Sequence, residues 1–522
     1  MYLREPEFKP ILRAKAIAFE NASGRAHAVL DELGNTVLYG HPDAQTILTR
    51  IQVENDSLLI LRNTVEGERP VGFASYREIG NDELYGVLKD MELANLVRGK
   101  SSREILLITG IYARGENTGD SEMIRDAAQQ LLVEVVAKEL EKNYSFALFV
   151  AERGTAAKHV VYALERQGFV RPHLADENDK RTIYLVDMHE PLMFLHNLET
   201  TIKEPFASNP AVLRAIEKNH KKLQIAMTKL YPGNLVLSLS SGVMHHRLVD
   251  RITSLNDVPR EPLVPRRLGK NMCVPFGKIL RGKVVPNTVT KTLHTDKVYE
   301  PDLESYTIEP FPYYSPLNSQ IETIRSFDRP VILVDDLVHK ADRLRVLVPK
   351  LRETGIPIKK VVVGVLSGYG RDLMQQLKVP VESIYSMPNV RQWFVESTLY
   401  PFIGGDTVRR EEMKVAGLQP SINMILPYAT PKLSGCSREA LVEFSACCIE
   451  NSRDLLQVLE AEYRKQYAKN LTLSRLSEAV ILPLCPDKGS CMEYDENLAA
   501  SVYLENDLEM LQRMRKFMVT IQ

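Results

Sequence analysis

Three consecutive stretches, RPVILVDD (329–336), RLRVLVPKLRETG (343–355) and KKVVVGVLSG (359–368), constrain this chain more than any others. The outer two are short, continuous apolar runs, the pattern of strands buried on both faces. The middle one has helical spacing. A buried strand, a helix and a second buried strand imply a parallel sheet, because parallel neighbours need a long crossover between them. Upstream, NLVLSLS (234–240) reads as a further strand and SGVMHHRLVDRI (241–252) as a turn into a helix. Asp335 and Asp336 end the strand of the opening stretch. A turn from such a strand into a helix presents unpaired backbone N–H groups that can cradle a phosphate. Two adjacent carboxylates there can accept hydrogen bonds from a ribose diol, and a solvated Asp-Asp turn is the plain alternative.

The first part of the chain shows a different pattern. RAHAVLDELGNTVLYG (25–40) reads as two short strands about a Gly-Asn turn, and SLLILRNTVEGERPVGFASYREI (57–79) as a hairpin. REILLITGIYAR (103–114) is a strand, 121–143 and 155–169 are helices, and 145–151 and 181–188 are strands. Residues 190–231 form a connector in which Ser208-Asn209-Pro210 starts a helix. Beyond about residue 410 helices dominate, over 437–470 and 506–518. The expected domains are therefore 1–189, the connector 190–231, 232–409 and a mainly helical segment 410–522.

A chain of 522 residues exceeds one ordinary core. Its 66 basic and 67 acidic side chains, a formal charge of −1, exclude bulk nucleic-acid binding, which needs a basic footprint. No apolar run approaches the roughly 20 residues of a membrane span. MYLREPEFKP lacks the apolar core of a secretory signal, and six scattered cysteines make no disulfide framework, so a cytoplasmic location is expected. Cys485 and Cys491 could sit on a metal loop but read better as free thiols. His245 and His246 are consecutive on a helix and make a poor chelate. Within this near-neutral chain, residues 266–297 concentrate Arg266, Arg267, Lys270, Lys278, Arg281, Lys283, Lys291 and Lys297 against one acid, Asp296. Such a segment can stabilise a polyphosphate or form a solvated hairpin face.

VILVDDLV, with LVLSLSSGVMHHRLVDRI before it, resembles the type I phosphoribosyltransferases over about residues 232–405. The resemblance implies a phosphorylated small-molecule ligand, phosphoribosyl pyrophosphate or a nucleotide, accompanied by Mg²⁺. It implies ribose-phosphate contacts from Asp335, Asp336, Lys340, Ala341 and Arg343, and an indirect Mg²⁺ contact from Asp335 and Asp336. It implies pyrophosphate contacts from Ser240, Ser241 and Gly242, with Lys278, Arg281 and Lys283 in a closing loop. His339, Lys340 and Arg343 depart from the family's Thr/Ser/Gly-rich loop: charged donors replace neutral ones there, or long side chains cover the pocket.

ITGIYARGENTGDSEMIRDAAQQLL (108–132) and ALERQGF (163–169) resemble the GNAT acyltransferases over about residues 25–188. That resemblance implies acyl-coenzyme A, acetyl-CoA among them, on a turn holding Arg114, Gly115, Asn117 and Gly119. Asn117 stands where the family's first glycine belongs. Leu164 occupies the position of its tyrosine general acid, with Tyr162 two residues away. The two domains together are similar to the rear part of larger bacterial cytidyltransferase-related proteins, whose His-x-Gly-His pattern is absent. The expected fold is α/β, a GNAT-like domain plus a phosphoribosyltransferase-like parallel-sheet domain with a helical C-terminal segment. Two functions follow: transfer of a phosphoribosyl group to an acceptor, or a non-catalytic ligand-binding module that regulates an attached or partner protein. A homo-oligomer or a larger multidomain assembly is compatible with both.

Overall fold

A computed structural model describes residues 17–520, apart from 65–66, 102–103, 116–121, 153–156, 173–180, 266, 313, 410–417 and 488–493. The chain divides into two compact units. Unit 1 comprises residues up to Met193 with Pro232–Ser238 and Tyr385–Gln392; unit 2 comprises Phe194–Tyr231, Leu239–Ile384 and Trp393 onward.

Unit 1 runs β1 (Ile17–Ser23), α1 (His27–Thr36), α2 (Ala44–Glu54), β2 (Ser57–Asn63), β3 (Arg69–Ile79), α3 (Leu84–Leu88), α4 (Met91–Lys100), β4 (Ile105–Ala113), α5 (Glu122–Glu139), β5 (Phe146–Glu152), α6 (Lys158–Arg166) and β6 (Arg181–His196). Strands β1 to β6 lie in chain order in one sheet. Pairing is antiparallel from β1 to β4, parallel between β4 and β5, and antiparallel again at β6. Helix α5 supplies the crossover that the parallel pair requires. One expectation fails at 25–40, where α1 replaces the two strands. Leu30, Leu33 and Val37 fall on one helical face and are buried there, so periodicity of 3.6 outweighs the Gly-Asn turn signal.

The chain continues through α7 (Pro210–Leu230), β7 (Asn234–Ser240), α8 (Ser241–Leu255), β8 (Met272–Pro275), β9 (Val289–Thr290), β10 (Thr295–Tyr299), β11 (Tyr306–Pro310), α9 (Leu317–Arg325) and β12 (Val331–Val338). Then follow α10 (Asp342–Glu353), β13 (Ile358–Ser367), α11 (Gly368–Gln376), β14 (Val381–Met387), β15 (Gln392–Val395), β16 (Asp406–Val408), β17 (Gln419–Ile422), α12 (Arg438–Tyr467), β18 (Leu484–Pro486) and α13 (Ala500–Thr520). The Asn209 side chain caps α7 by accepting from the amides of Ala211 and Val212, with Pro210 at the first helical position.

In unit 2 one sheet has the order β14-β13-β12-β8-β9, with β12 parallel to β13 and β8, and β8 parallel to β9. The α/β alternation of the sequence is realised here, and α10 is the crossover. Val331, Leu333, Leu344, Leu347, Leu351, Val361 and Val363 share its core with Ile321 and Met374 of α9 and α11. A second sheet, β11-β10-β16-β17-β18, contributes further site residues. The C-terminal segment is dominated by α12, which packs along α7, and by α13. Strand β7, expected to open the parallel sheet, pairs with β6 instead. Its buried run Leu235–Leu239 satisfies the periodicity of either sheet, so periodicity alone does not choose its partner.

Candidate functional site

Asp335 and Asp336 stand near the carboxyl end of the central strand β12, 9% and 7% exposed, so neither is a solvated turn residue. After β8 the chain stays on β12, with the amide of Phe276 donating to the carbonyl of Val334 at 3.0 Å. It then turns across the acidic pair. The amides of Lys278 and Ile279 donate to Asp336 Oδ2 and Oδ1 at 2.7 and 3.0 Å. Both carboxylate oxygens are thereby committed to holding a loop. Gly277 makes the approach possible, since a Cβ there would lie 2.5 Å from Asp336 Oδ1 and 2.8 Å from Asp335 Oδ1. Asp335 Oδ1 accepts the Asp336 amide at 2.9 Å and faces Arg343 Nη1 at 3.9 Å.

The loop carries two cations into this neighbourhood. Burial pulls the Lys278 ammonium below its ordinary range against the attraction of Asp406, and burial with Arg343 lowers Arg281. The Arg281 guanidinium lies over the Phe311 ring at 5.2 Å. Lys297 lies over Tyr306 at 3.7 Å and is lowered by burial, with Asp406 opposing. Thr407 donates to Asp296 at 2.5 Å, and burial pushes Asp406 up, with Lys278 opposing. Burial likewise pushes Asp335 up to about 7, Arg343 opposing and Asp336 reinforcing. Lys278, Arg281, Lys297 and Arg343 share this neighbourhood with the carboxyls of Asp296, Asp335, Asp336, Asp342 and Asp406. A crowded, partly desolvated cationic group of this kind gains most from an anion carrying several charges.

The turn after β12 has Ala341 in the left-handed region at φ 53°, 8% exposed, directly ahead of α10 with no side-chain cap. Of the basic residues expected there, Arg343 converges on Asp335, whereas the Lys340 side chain is exposed. His339 Nδ1 is 2.8 Å from Ser367 Oγ, at the β13–α11 turn.

The Ser240 hydroxyl accepts from the Val243 amide and caps α8, Ser241 is buried, and Gly242 follows inside the helix. The loop that closes on the acidic pair is 276–279, which follows β8, the strand beside β12. Lys283 is lowered by burial, with Asp336 opposing. Tyr385 belongs to unit 1 and donates to Glu134 on α5 at 2.8 Å. Phe394 packs against Phe444, 5.7 Å between centroids. Gly277, Asp406 and Thr407 were not anticipated. Only Asp296 carried a signal, as the lone acid of the basic segment.

In unit 1, the amide of Arg114 donates to the Val71 carbonyl at 2.8 Å and Gly115 turns with φ 82°. Asn117 and Gly119 lie outside the described residues. Strands β4 and β5 pair only over Leu106–Ile108 and Ala147–Phe149, although β4 runs on to Ala113 and β5 to Glu152. Leu164 is fully buried core, and Tyr162 lies beside Arg166 at 5.4 Å.

No protein-family model matches the sequence, and no curated protein matches it. Among solved structures, the first third of the chain is similar to acyltransferases of the GNAT family. One, from Listeria monocytogenes, is 14% identical with a TM-score of 0.23 over 33% of this chain and 94% of that one. The catalytic domain of a Tetrahymena histone acetyltransferase in complex with coenzyme A is 12% identical, TM-score 0.22, over 33% and 93%. FeeM, an N-acyl amino acid synthase from uncultured soil microbes, is 16% identical, TM-score 0.24, over 33% and 91%.

Proposed function

We propose that unit 2 binds a phosphorylated ribose carrying a diphosphate, of the phosphoribosyl pyrophosphate or nucleotide class, beside Asp335. The observation that carries this reading is the loop 276–279, pinned by Asp336 so that Lys278 and Arg281 stand partly buried at the end of the central parallel strand. Ligands of open parallel sheets bind outside the carboxyl ends of the strands. Lys278, Arg281 and Arg343 are the phosphate partners, and Asp335 is the carboxylate left for the ribose hydroxyls. Mg²⁺ fits as a companion of the diphosphate, reached through Asp335 or a bound water, since each Asp336 oxygen already accepts a loop amide. The commitment of Asp336 favours the binding and regulatory form of this reading over transfer to an acceptor.

A second ligand suits unit 1. Strands β4 and β5 stop pairing beyond Ile108, on the way to the turn at Arg114 and Gly115, and this favours acyl-coenzyme A there.

Titration of phosphoribosyl pyrophosphate with Mg²⁺ into the wild type, Arg281→Ala and Asp335→Asn tests the first assignment. Loss of a charge-assisted contact should weaken binding about 10-fold or more in Arg281→Ala. Absence of binding to the wild type would end this reading. Turnover with a panel of nucleobases then separates transfer from regulation, and acetyl-CoA titrated separately examines unit 1.

A further inference from the structure

His196 at the end of β6, His220 on α7 and Glu396 in the 3₁₀ turn Glu396–Leu399 meet inside unit 2. His220 Nε2 is 2.7 Å and His196 Nδ1 3.6 Å from the same atom, Glu396 Oε2. The three donor atoms lie within 4.8 Å of one another. The two imidazoles are 4.2 Å apart between centroids, and the edge of Phe194 closes on His196 at 4.6 Å. Glu396 is fully buried, and the two histidine side chains are 13% and 12% exposed.

One buried carboxylate compensates one imidazolium, and here two imidazoles address a single oxygen. Two neutral imidazoles and a carboxylate converging on one point are the donor set of a three-ligand transition-metal site. Further contacts hold the carboxylate and the backbone beside each ligand. The Tyr400 hydroxyl donates to the other Glu396 oxygen, Oε1, at 3.3 Å. Next to His196 and Glu396, Asn197 Nδ2 donates to Ser397 Oγ at 2.9 Å while the Ser397 amide donates to Asn197 Oδ1 at 2.9 Å. Beside His220, Asn219 and Asn451 exchange amide-to-carbonyl bonds at 2.8 and 3.1 Å, joining α7 to α12. Every element that brings a ligand is thus clamped by the residue adjacent to that ligand.

We infer that His196, His220 and Glu396 bind a divalent transition metal, Zn²⁺ by ligand type, through Nδ1, Nε2 and Oε2. Donors around an ion at about 2.0–2.1 Å sit roughly 3.3 Å apart in a tetrahedron, so shifts of about an ångström bring these three to that geometry. Three protein ligands leave a fourth position for water or a ligand. The site is separate from the acidic pair of β12 and does not depend on the reading proposed for it.

The test uses the full chain, stripped with chelator and titrated with Co²⁺ alone, then with Zn²⁺ as competitor, and followed by the visible ligand-field bands of Co²⁺. The expected result is about one Co²⁺ per chain, displaced by Zn²⁺, with affinity reduced at least about 100-fold in Glu396→Gln. The double variant His196→Ala/His220→Ala loses binding, and thermal unfolding of the wild type shifts upward with Zn²⁺. If the wild type shows neither bands nor a shift, or the double variant still binds with wild-type affinity, the assignment is overturned. The wild-type titration stands whether or not the variants fold.

Discussion

The Asp336 carboxylate accepts the backbone amide of Lys278 at 2.7 Å, across 58 positions of sequence. The bond ties a basic loop to the end of the strand on which the parallel sheet is centred. Asp336→Ala would strand two amides, those of Lys278 and buried Ile279, at a cost of about 2–4 kcal/mol. Asp336→Asn, which keeps one acceptor, should cost about half as much. The chain's single tryptophan, Trp393, belongs to unit 2, so urea unfolding followed by its fluorescence reports the effect. An unchanged midpoint for Asp336→Ala would show that the loop holds its place without the carboxylate.

Gly277 is the tightest point of that loop. A methyl group there would press on the backbone nitrogen of Asp336 at 2.8 Å as well as on both carboxylates, so the loop must lift. Gly277→Ala is expected to lose about 1–3 kcal/mol and to weaken phosphoribosyl pyrophosphate binding. Gly282, with φ 71° and open space around it, gives the comparison: Gly282→Ala should cost about 1 kcal/mol through backbone strain. Equal effects at both positions would remove the special role of Gly277.

Asp335 predicts a particular pH dependence. Its folded-state pKa, pushed up to about 7, lies above the ordinary 3.8, so the folded chain holds a proton that the unfolded chain releases. Stability from this group is fully present below about pH 4 and lost as pH rises through about 7. Asp335→Asn removes the slope. Unfolding free energies of both proteins at several pH values between 5 and 8 should show the wild type losing ground to the variant as pH rises; parallel curves would contradict the shift.

Tyr385 makes a buried polar contact within unit 1. Its hydroxyl donates to Glu134, which is 2% exposed, so Tyr385→Phe should cost about 1 kcal/mol or somewhat more. Affinity for phosphoribosyl pyrophosphate or a nucleotide should not change. A several-fold loss of nucleotide affinity in this variant would place Tyr385 at the ligand.

Much of the first domain was legible because its strands carry their own periodicity and α5 its own stripe, while 25–40 misled because a Gly-Asn pair can sit inside a helix as well as in a turn. In the candidate site, Asp335, Asp336, Lys278, Arg281 and Arg343 were legible as residue types at the end of a buried strand or in a basic run. Asp406 and Thr407 were not, since they enter from a second sheet whose short strands have no pattern to read. His196, His220 and Glu396 lie on three elements up to 200 residues apart, and no spacing rule joins them.

By itself the sequence determined many of the elements: local periodicity, the cap at Asn209, and the parallel crossover through 343–355 follow from neighbours along the chain. Only the tertiary structure decided which strand lies beside which. A buried apolar run such as 234–240 can pair with several partners at similar local energy, and the choice is made by packing contacts distant in sequence. That choice set β8 rather than β7 next to β12, and with it which loop stands over the aspartates.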